Sequence, residues 1–350
     1  MTAALIGPED QRWSTHLGNA DADFYHLPTY ASLCAAWDKG EAAALFAEEG
    51  EHSLLVPMVV RSLPAALTQG DVPEGLRDAI SPYGYPGVLA SRGASDDFVA
   101  EALEDLVVLL KEKQIVTLFT RLHGFSSPSD ELLRTCGDLV EHGETVSIDL
   151  TQSEDDLWSQ TRSNHRRGIN KAMRLGHSVR MDSSKLDDFH ACYLETMGRV
   201  SATEYYLFDR TYMAHLLELL GDHGHLAVVE IEGEVACAGL FTTFGGCVQY
   251  HLGGTRDAAL EHSPMKVLFH FVRSWAKERG ERVFHLGGGA GSKEDPLFHF
   301  KEGFSDRRHR FKTWRVVGDE VLQDRLCAVR ATKTEDPPPA GFFPPYRAPE

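Results

Sequence analysis

Between Thr161 and Arg180 the chain places Arg162, Arg166, Arg167, Lys171, Arg174 and Arg180 and not one carboxylate, although its formal net charge is -17. On a solvated helix face, Glu or Asp at i+4 spacing would accompany so many cations. Their absence favours a phosphate or polyanion site over an unpaired surface patch. Arginine's planar fork matches phosphate oxygens, and a helix start adds N–H donors without intrahelical partners. If Ser163 to Leu175 is helical, Arg167, Lys171 and Arg174 share one side while Arg162 and Arg166 flank its start.

A second candidate is "FHFKEGFS", where Lys301 stands among Phe298, Phe300 and Phe304. Its ammonium either snorkels to water or points into a cleft where low dielectric strengthens its pull on a developing oxyanion; the residues alone favour snorkelling. In "VQYHLGGT", Tyr250 alternates with Gln249 and His251 on a strand leading into Gly253 and Gly254. "ISPYGYPGVL" sets Tyr83 and Tyr85 between two prolines, either displaying rings to a ligand or packing them on the core. "HLGGGAGSKEDP" has no full phosphate-loop pattern and reads as a flexible turn, and "GDHGH" reads as a loop rather than a metal site. The six cysteines form no CxxC pair. No GxSxG elbow, HExxH or Cys/His dyad supports a hydrolase, and no metal or cofactor is expected.

The elements that must hold these residues follow from pattern. With 42% hydrophobic and 25% charged residues over 350 positions, the chain is globular and long enough for two domains. No apolar run reaches membrane-span length, and Pro8, Glu9 and Asp10 interrupt any signal core, so a cytoplasmic protein without a span is expected. A pI near 5.4 disfavours bulk nucleic-acid binding but leaves room for one local basic track.

"AAALFAEEGEHSLLVPMVVRSL" reads as a hairpin, and "SDDFVAEALEDLVVLLKEKQ" as an amphipathic helix opened by Ser95 and Asp96. "ETVSIDL" starts a second unit, whose middle is three consecutive strands from His225 to Thr255. A helix follows, with Ser263 as N-cap, Pro264 at its first position and Gly280 as its stop. The rhythm is mixed α/β (α+β), divided as residues 1–150, 151–330 and a proline-rich tail at 331–350.

Taken in order, "SPYGYPG", "RSNHRRGINKAMRLG", "YHLGGT" and "FKEGF" resemble the Fem family of aminoacyl-tRNA-dependent transferases within the GNAT acyltransferase superfamily. The resemblance spans roughly Ala20 to Val317. It implies two tandem GNAT-like domains, each a mixed sheet flanked by helices. It also implies a reaction in which a primary amine of a peptide or peptidoglycan-type precursor attacks the ester carbonyl of an aminoacyl-tRNA to form an amide. By that likeness Tyr250, Phe300 and Lys301 line the reacting site, with Lys301 holding the tRNA end or stabilising the oxyanion. Arg162, Asn164, Arg166, Arg167 and Lys171 fall in the motif that contacts the donor's phosphates, and Tyr83 and Tyr85 meet the acceptor. The general base stays unassigned, Asp295 being only an available carboxylate.

Acyl-CoA-dependent GNAT enzymes hold the pyrophosphate on a Q/R-x-x-G-x-G/A loop before a helix. Here Arg256 is followed by Asp257, Ala258, Ala259, Leu260 and Glu261, without the glycines and with two acids, which disfavours CoA. Two alternatives stand beside the aminoacyl reading: an N-acyltransferase using acyl-CoA or a carrier-bound donor, and a non-catalytic module that docks an anionic partner.

Overall fold

The apolar runs either side of Gly50 fold back on each other as a long antiparallel hairpin, paired from Glu41↔Val60 to Glu49↔His52. A computed structural model describes residues 1–68, 72–289, 291, 294–334 and 336–348. The chain groups into two units, Met1–His142 with Phe311–Glu350, and Gly143–Arg310.

The first unit begins with β1 (Thr2–Ile6), α1 (Gln11–Gly18), α2 (Pro28–Trp37) and the hairpin strands β2 (Glu41–Glu49) and β3 (His52–Ser62). β4 (Arg77–Ile80), β5 (Leu89–Ala90), α3 (Asp96–Glu112), β6 (Ile115–Arg121) and α4 (Asp130–Arg134) follow. β7 (Asp138–Asp149) leads into the second unit, with α5 (Glu154–Gln160), α6 (Ser163–Arg174), β8 (Ser178–Met181), α7 (Leu186–Arg199) and α8 (Arg210–Leu220). Then come β9 (Gly224–Ile231), β10 (Glu234–Phe244), β11 (Cys247–Thr255), α9 (Pro264–Glu278), β12 (Val283–Gly288) and α10 (Pro296–Lys301). β13 (Arg308–Val317) returns the chain to the first unit, which α11 (Glu320–Ala331) extends.

Within the first unit the strand order is β1-β2-β3-β4-β6-β13, with β5 on β3. One face of this sheet packs on α3: Leu54, Val56, Met58 and Trp314 meet Phe98, Leu103 and Leu106 in one apolar cluster. Ser95 caps α3 by accepting from the Phe98 N–H, as its sequence signature indicates. Residues beyond 331, read from composition as an unpacked tail, include a packed anchor instead. Tyr346 is 2% exposed among Leu63, Leu67, Leu76, Val116 and Leu326, and its hydroxyl lies 2.7 Å from Thr117 Oγ1. Arg347 pairs with the buried Asp78. Proline richness excludes a long helix or central strand but not a few side chains that dock as anchors.

The second unit's order is β7-β12-β11-β10-β9-β8, antiparallel except where β11 and β12 run parallel. Val248, Phe269, Val272, Phe284 and Leu286 form the centre of its core, on which Ile169 of α6 also packs. At the α9 start Pro264 takes the first helical position, as expected. Ser263, however, holds φ 49° and makes no side-chain cap bond.

Candidate functional site

α10 is a short helix whose start is fixed twice, by Pro296 at its first position and by Asp295, which accepts the Phe298 N–H at 2.8 Å. Its last residue is Lys301. Against the snorkelled form favoured by its neighbours in sequence, Lys301 is only 5% exposed. Its Nζ donates to the Gly288 carbonyl at 2.6 Å and stands 5.5 Å from the centre of the Tyr250 ring. A backbone dipole and an aromatic face replace the water that a snorkelling ammonium would reach. Burial pushes the Lys301 pKa down to about 7, and Asp295 pulls it partly back. Near neutral pH this amine is therefore poised between its two protonation states.

Tyr250 reaches that position through a bulge: Leu240 faces Leu252 and Phe241 faces Tyr250, so His251 is the extra residue on β11. The Tyr250 ring packs on Phe269, 4.8 Å between centroids, and burial pushes its hydroxyl pKa up, so it stays protonated. A Cβ at Gly253 would come within 2.4 Å of the Tyr250 hydroxyl, which is why the "YHLGGT" motif needs glycine there. Phe300 lies edge-on to Phe269 and Phe304 and 5.3 Å from the His165 ring.

The basic segment forms α6, and the start of α6 is bonded to α10 and the turn after it. The Arg162 N–H donates to the Gly303 carbonyl at 2.7 Å; its guanidinium reaches the His299 carbonyl at 3.3 Å and pairs with Glu302. His165, 3% exposed, donates its Nε2–H to the Phe300 carbonyl at 2.9 Å, and Asn164 Oδ1 lies 2.9 Å from its Nδ1. Its pKa is lowered chiefly by burial. A Cβ at Gly303 would fall 2.5 Å from His165 Nε2, so the glycine of "FKEGF" makes room for a residue of the basic motif.

The six cations are not equivalent. Arg162 pairs with Glu302, and Arg180 pairs with Glu230 at 2.6 Å and with Asp182, carboxylates that lie outside the run in sequence. Half-buried Arg166 donates to the Trp158 carbonyl at 3.4 Å. Arg167, Lys171 and Arg174 are exposed, and none forms an ion pair among the described residues. The three cations expected to share one side of the helix are thus these exposed ones.

The segment after β11 has the opposite character. Glu195 of α7 accepts from the Arg256 guanidinium at 2.6 Å and from the Asp257 N–H at 2.7 Å. Arg199 pairs with Asp257. A carboxylate thus occupies the guanidinium and a backbone N–H that a pyrophosphate would need.

Tyr83 and Tyr85 belong to the first unit and are half-buried. Tyr85 lies edge-on to Tyr25 and Phe311, while the Tyr30 hydroxyl donates to the Tyr83 carbonyl at 2.8 Å. A Cβ at Gly84, whose φ is +101°, would overlap the Tyr25 ring. Of the glycine-rich loop before α10, residues 290, 292 and 293 lie outside the described residues. His223 and His225 bond the Thr243 carbonyl and hydroxyl, and among the described residues no group of His, Cys, Asp or Glu is arranged to hold a metal.

Two residues escaped the sequence reading. His165 was one more polar position in a basic run, and only its three-residue offset from Arg162 and Ala172's apolar neighbourhood hinted at an inward face. Lys266, in the first turn of α9, is half-buried, and burial lowers its pKa. Its proline-led helix start gave no sign of that.

Residues 159–302 match the model of a family described as an acetyltransferase (GNAT) domain. A crystal structure of FemX aligns over 92% of this chain and 99% of its own at 12% identity, with a TM-score of 0.70. L-PGS from Bacillus licheniformis aligns over 93% and 98% at 14% identity, with a TM-score of 0.54. The C-terminal domain of a putative lysylphosphatidylglycerol synthetase from Agrobacterium fabrum aligns over 92% and 95% at 15% identity, TM-score 0.55. No curated protein sequence matches significantly. The fold is that of FemX, as the ordered motifs led us to expect. Among the described residues no helix is long and apolar enough to cross a membrane.

Proposed function

We propose that this acyltransferase of GNAT fold joins an aminoacyl group, delivered by an aminoacyl-tRNA, to a primary amine of a peptide or cell-wall-type precursor. The amine nitrogen attacks the ester carbonyl, a C–N bond forms, the C–O bond to the tRNA ribose breaks, and the amine's proton ends on the released hydroxyl. The observation that carries this reading is the buried amine of Lys301 between the Gly288 carbonyl and the Tyr250 ring. In its protonated form it is a preorganised donor for the oxyanion of the tetrahedral intermediate, a contribution of about 3 kcal/mol in a water-poor site. Phe300 and Tyr250 exclude water and shape the aminoacyl pocket.

Two further observations support a donor other than acyl-CoA. Glu195 already pairs with Arg256 and accepts the Asp257 N–H, and its charge would repel a pyrophosphate. The exposed cations Arg167 and Lys171 offer phosphate contacts on a helix whose first turn is bonded to α10, so a tRNA end tracked by α6 is led toward Lys301. Among the similar structures, one is named for the synthesis of lysylphosphatidylglycerol, itself an aminoacyl product.

The test is transfer itself. Incubation with charged tRNA and amine acceptors is expected to release uncharged tRNA together with an amide of the corresponding mass. Turnover with acetyl-CoA and no turnover with charged tRNA would refute the assignment.

A further inference from the structure

The first unit carries two arginines that the transfer reaction does not use. β13 pairs antiparallel with β6, setting Thr313 opposite Arg121 and Arg315 opposite Phe119. Trp314 and Val316 point into the core, so Arg121, Thr313 and Arg315 share the other face of the sheet. Arg121 and Arg315 are diagonal neighbours across two strands, about 7–8 Å apart in backbone position, and like charges so placed repel. Neither forms an ion pair among the described residues. Arg121 reaches only the Ser81 hydroxyl, at 3.4 Å, and Arg315 Nε is buried without a hydrogen-bond partner. Asp78 of the neighbouring β4 is already held by Arg61 and Arg347.

Both guanidiniums are nevertheless held in place. Arg121 stacks 5.3 Å from the centre of the Phe119 ring and Arg315 5.8 Å from that of Phe343, and these two rings stack on each other at 6.4 Å. A stacked guanidinium keeps its N–H edges available in the plane, which is the geometry that grips an oxyanion. His142 stands beside them, its Nε2 2.8 Å from Thr313 Oγ1.

We infer that this face of the first unit is a binding site for a doubly charged oxyanion group, which Arg121 and Arg315 grip from the Phe119–Phe343 platform. Burial weakens the hold of Arg315 on its proton, with Asp138 acting against it. Burial also lowers the pKa of His142, and Arg315 and Arg121 lower it further, so the fields of both arginines meet at one place. A bound dianion relieves that repulsion between the two guanidiniums. The site does not depend on which acyl donor is used.

The group is either a phosphate or a dicarboxylate, and calorimetry on the full chain with pyrophosphate and with succinate at constant ionic strength separates them. Saturable binding of at least one is expected, the tighter of the two identifying the source. Arg121→Gln and Arg315→Gln should each weaken it by about tenfold or more. Arg315→Lys, which retains the charge and loses the fork, should bind with intermediate strength. An Arg167→Gln/Lys171→Gln variant, stripped of the phosphate contacts of α6, should keep the binding that Arg121→Gln and Arg315→Gln weaken, and its loss there would overturn the inference. Thermal unfolding with and without pyrophosphate guards against a misfolded variant: the anion should raise the midpoint of the unmodified chain and not that of Arg315→Gln. No heat with either anion, or equal binding by the Gln variants, overturns the inference.

Discussion

Lys301 Nζ donates to the Gly288 carbonyl at 2.6 Å from a position 5% exposed to solvent. This one bond ties the end of α10 to the end of β12 and fixes the amine where water cannot rotate it away. Replacing Lys301 by Met removes a desolvated charge and leaves one carbonyl to find a new partner, terms of opposite sign. We expect Lys301→Met to lower kcat by about 100- to 1000-fold, the loss seen when one oxyanion donor is removed, while the unfolding midpoint stays equal or rises. Full activity in this variant would remove Lys301 from the mechanism.

The same amine makes the rate depend on pH in a defined direction. If the protonated form stabilises the oxyanion, kcat/KM falls as pH rises through about 7, the value to which burial lowers Lys301. Its folded pKa lies below the ordinary lysine value near 10.5. Between those limits the unfolded chain holds a proton that the native chain has shed, so stability climbs with pH, by a few kcal/mol in total, and below about 7 that gain is absent. Denaturant titrations of the unmodified chain and of Lys301→Met at pH 6, 8 and 10 should show the slope in the first and a flatter response in the second. A rate that rises through neutrality would instead make Lys301 a base.

Gly303→Ala tests the link between the basic motif and the reacting site. Its Cβ would press 2.5 Å from His165 Nε2, and His165 cannot yield without losing its bond to the Phe300 carbonyl. A loss of about 1–3 kcal/mol in stability is expected, as for other overpacked sites. It should come with a fall in kcat and little change in KM for the tRNA. Stability equal to the unmodified chain would mean that the packing around His165 is loose.

The exposed cations of α6 should act through salt. Removing Arg167 and Lys171 together should weaken tRNA binding and flatten its dependence on salt concentration by about 1.4–1.8 units of slope, for two lost phosphate contacts. Arg162→Gln should behave differently: it breaks the pair with Glu302, so its effect is on stability and kcat more than on the salt slope.

Local pattern made much of this molecule legible, and contacts distant in sequence made the rest opaque. The hairpin across Gly50 and the helix opened by Ser95 declare themselves through period and caps. The basic run declared its helix too, but not which cations remain available, because Glu302 and Glu230 arrive from other elements. Lys301 read as a snorkelling residue since nothing adjacent to it in sequence could partner its ammonium. The partners are a carbonyl on β12 and a ring on β11. His165 was hidden for the same reason, its acceptor being the Phe300 backbone. Arg121 and Arg315 carried no motif at all; only the register of two strands brings them together.

The most direct measurement of the central claim is the single-turnover deacylation of charged tRNA with and without an amine acceptor, run on the unmodified chain and on Lys301→Met, with acetyl-CoA as the competing donor. Acceptor-dependent deacylation by the unmodified chain, its near loss in Lys301→Met, and no transfer from acetyl-CoA are the expected results. Transfer from acetyl-CoA with charged tRNA left intact would contradict that claim.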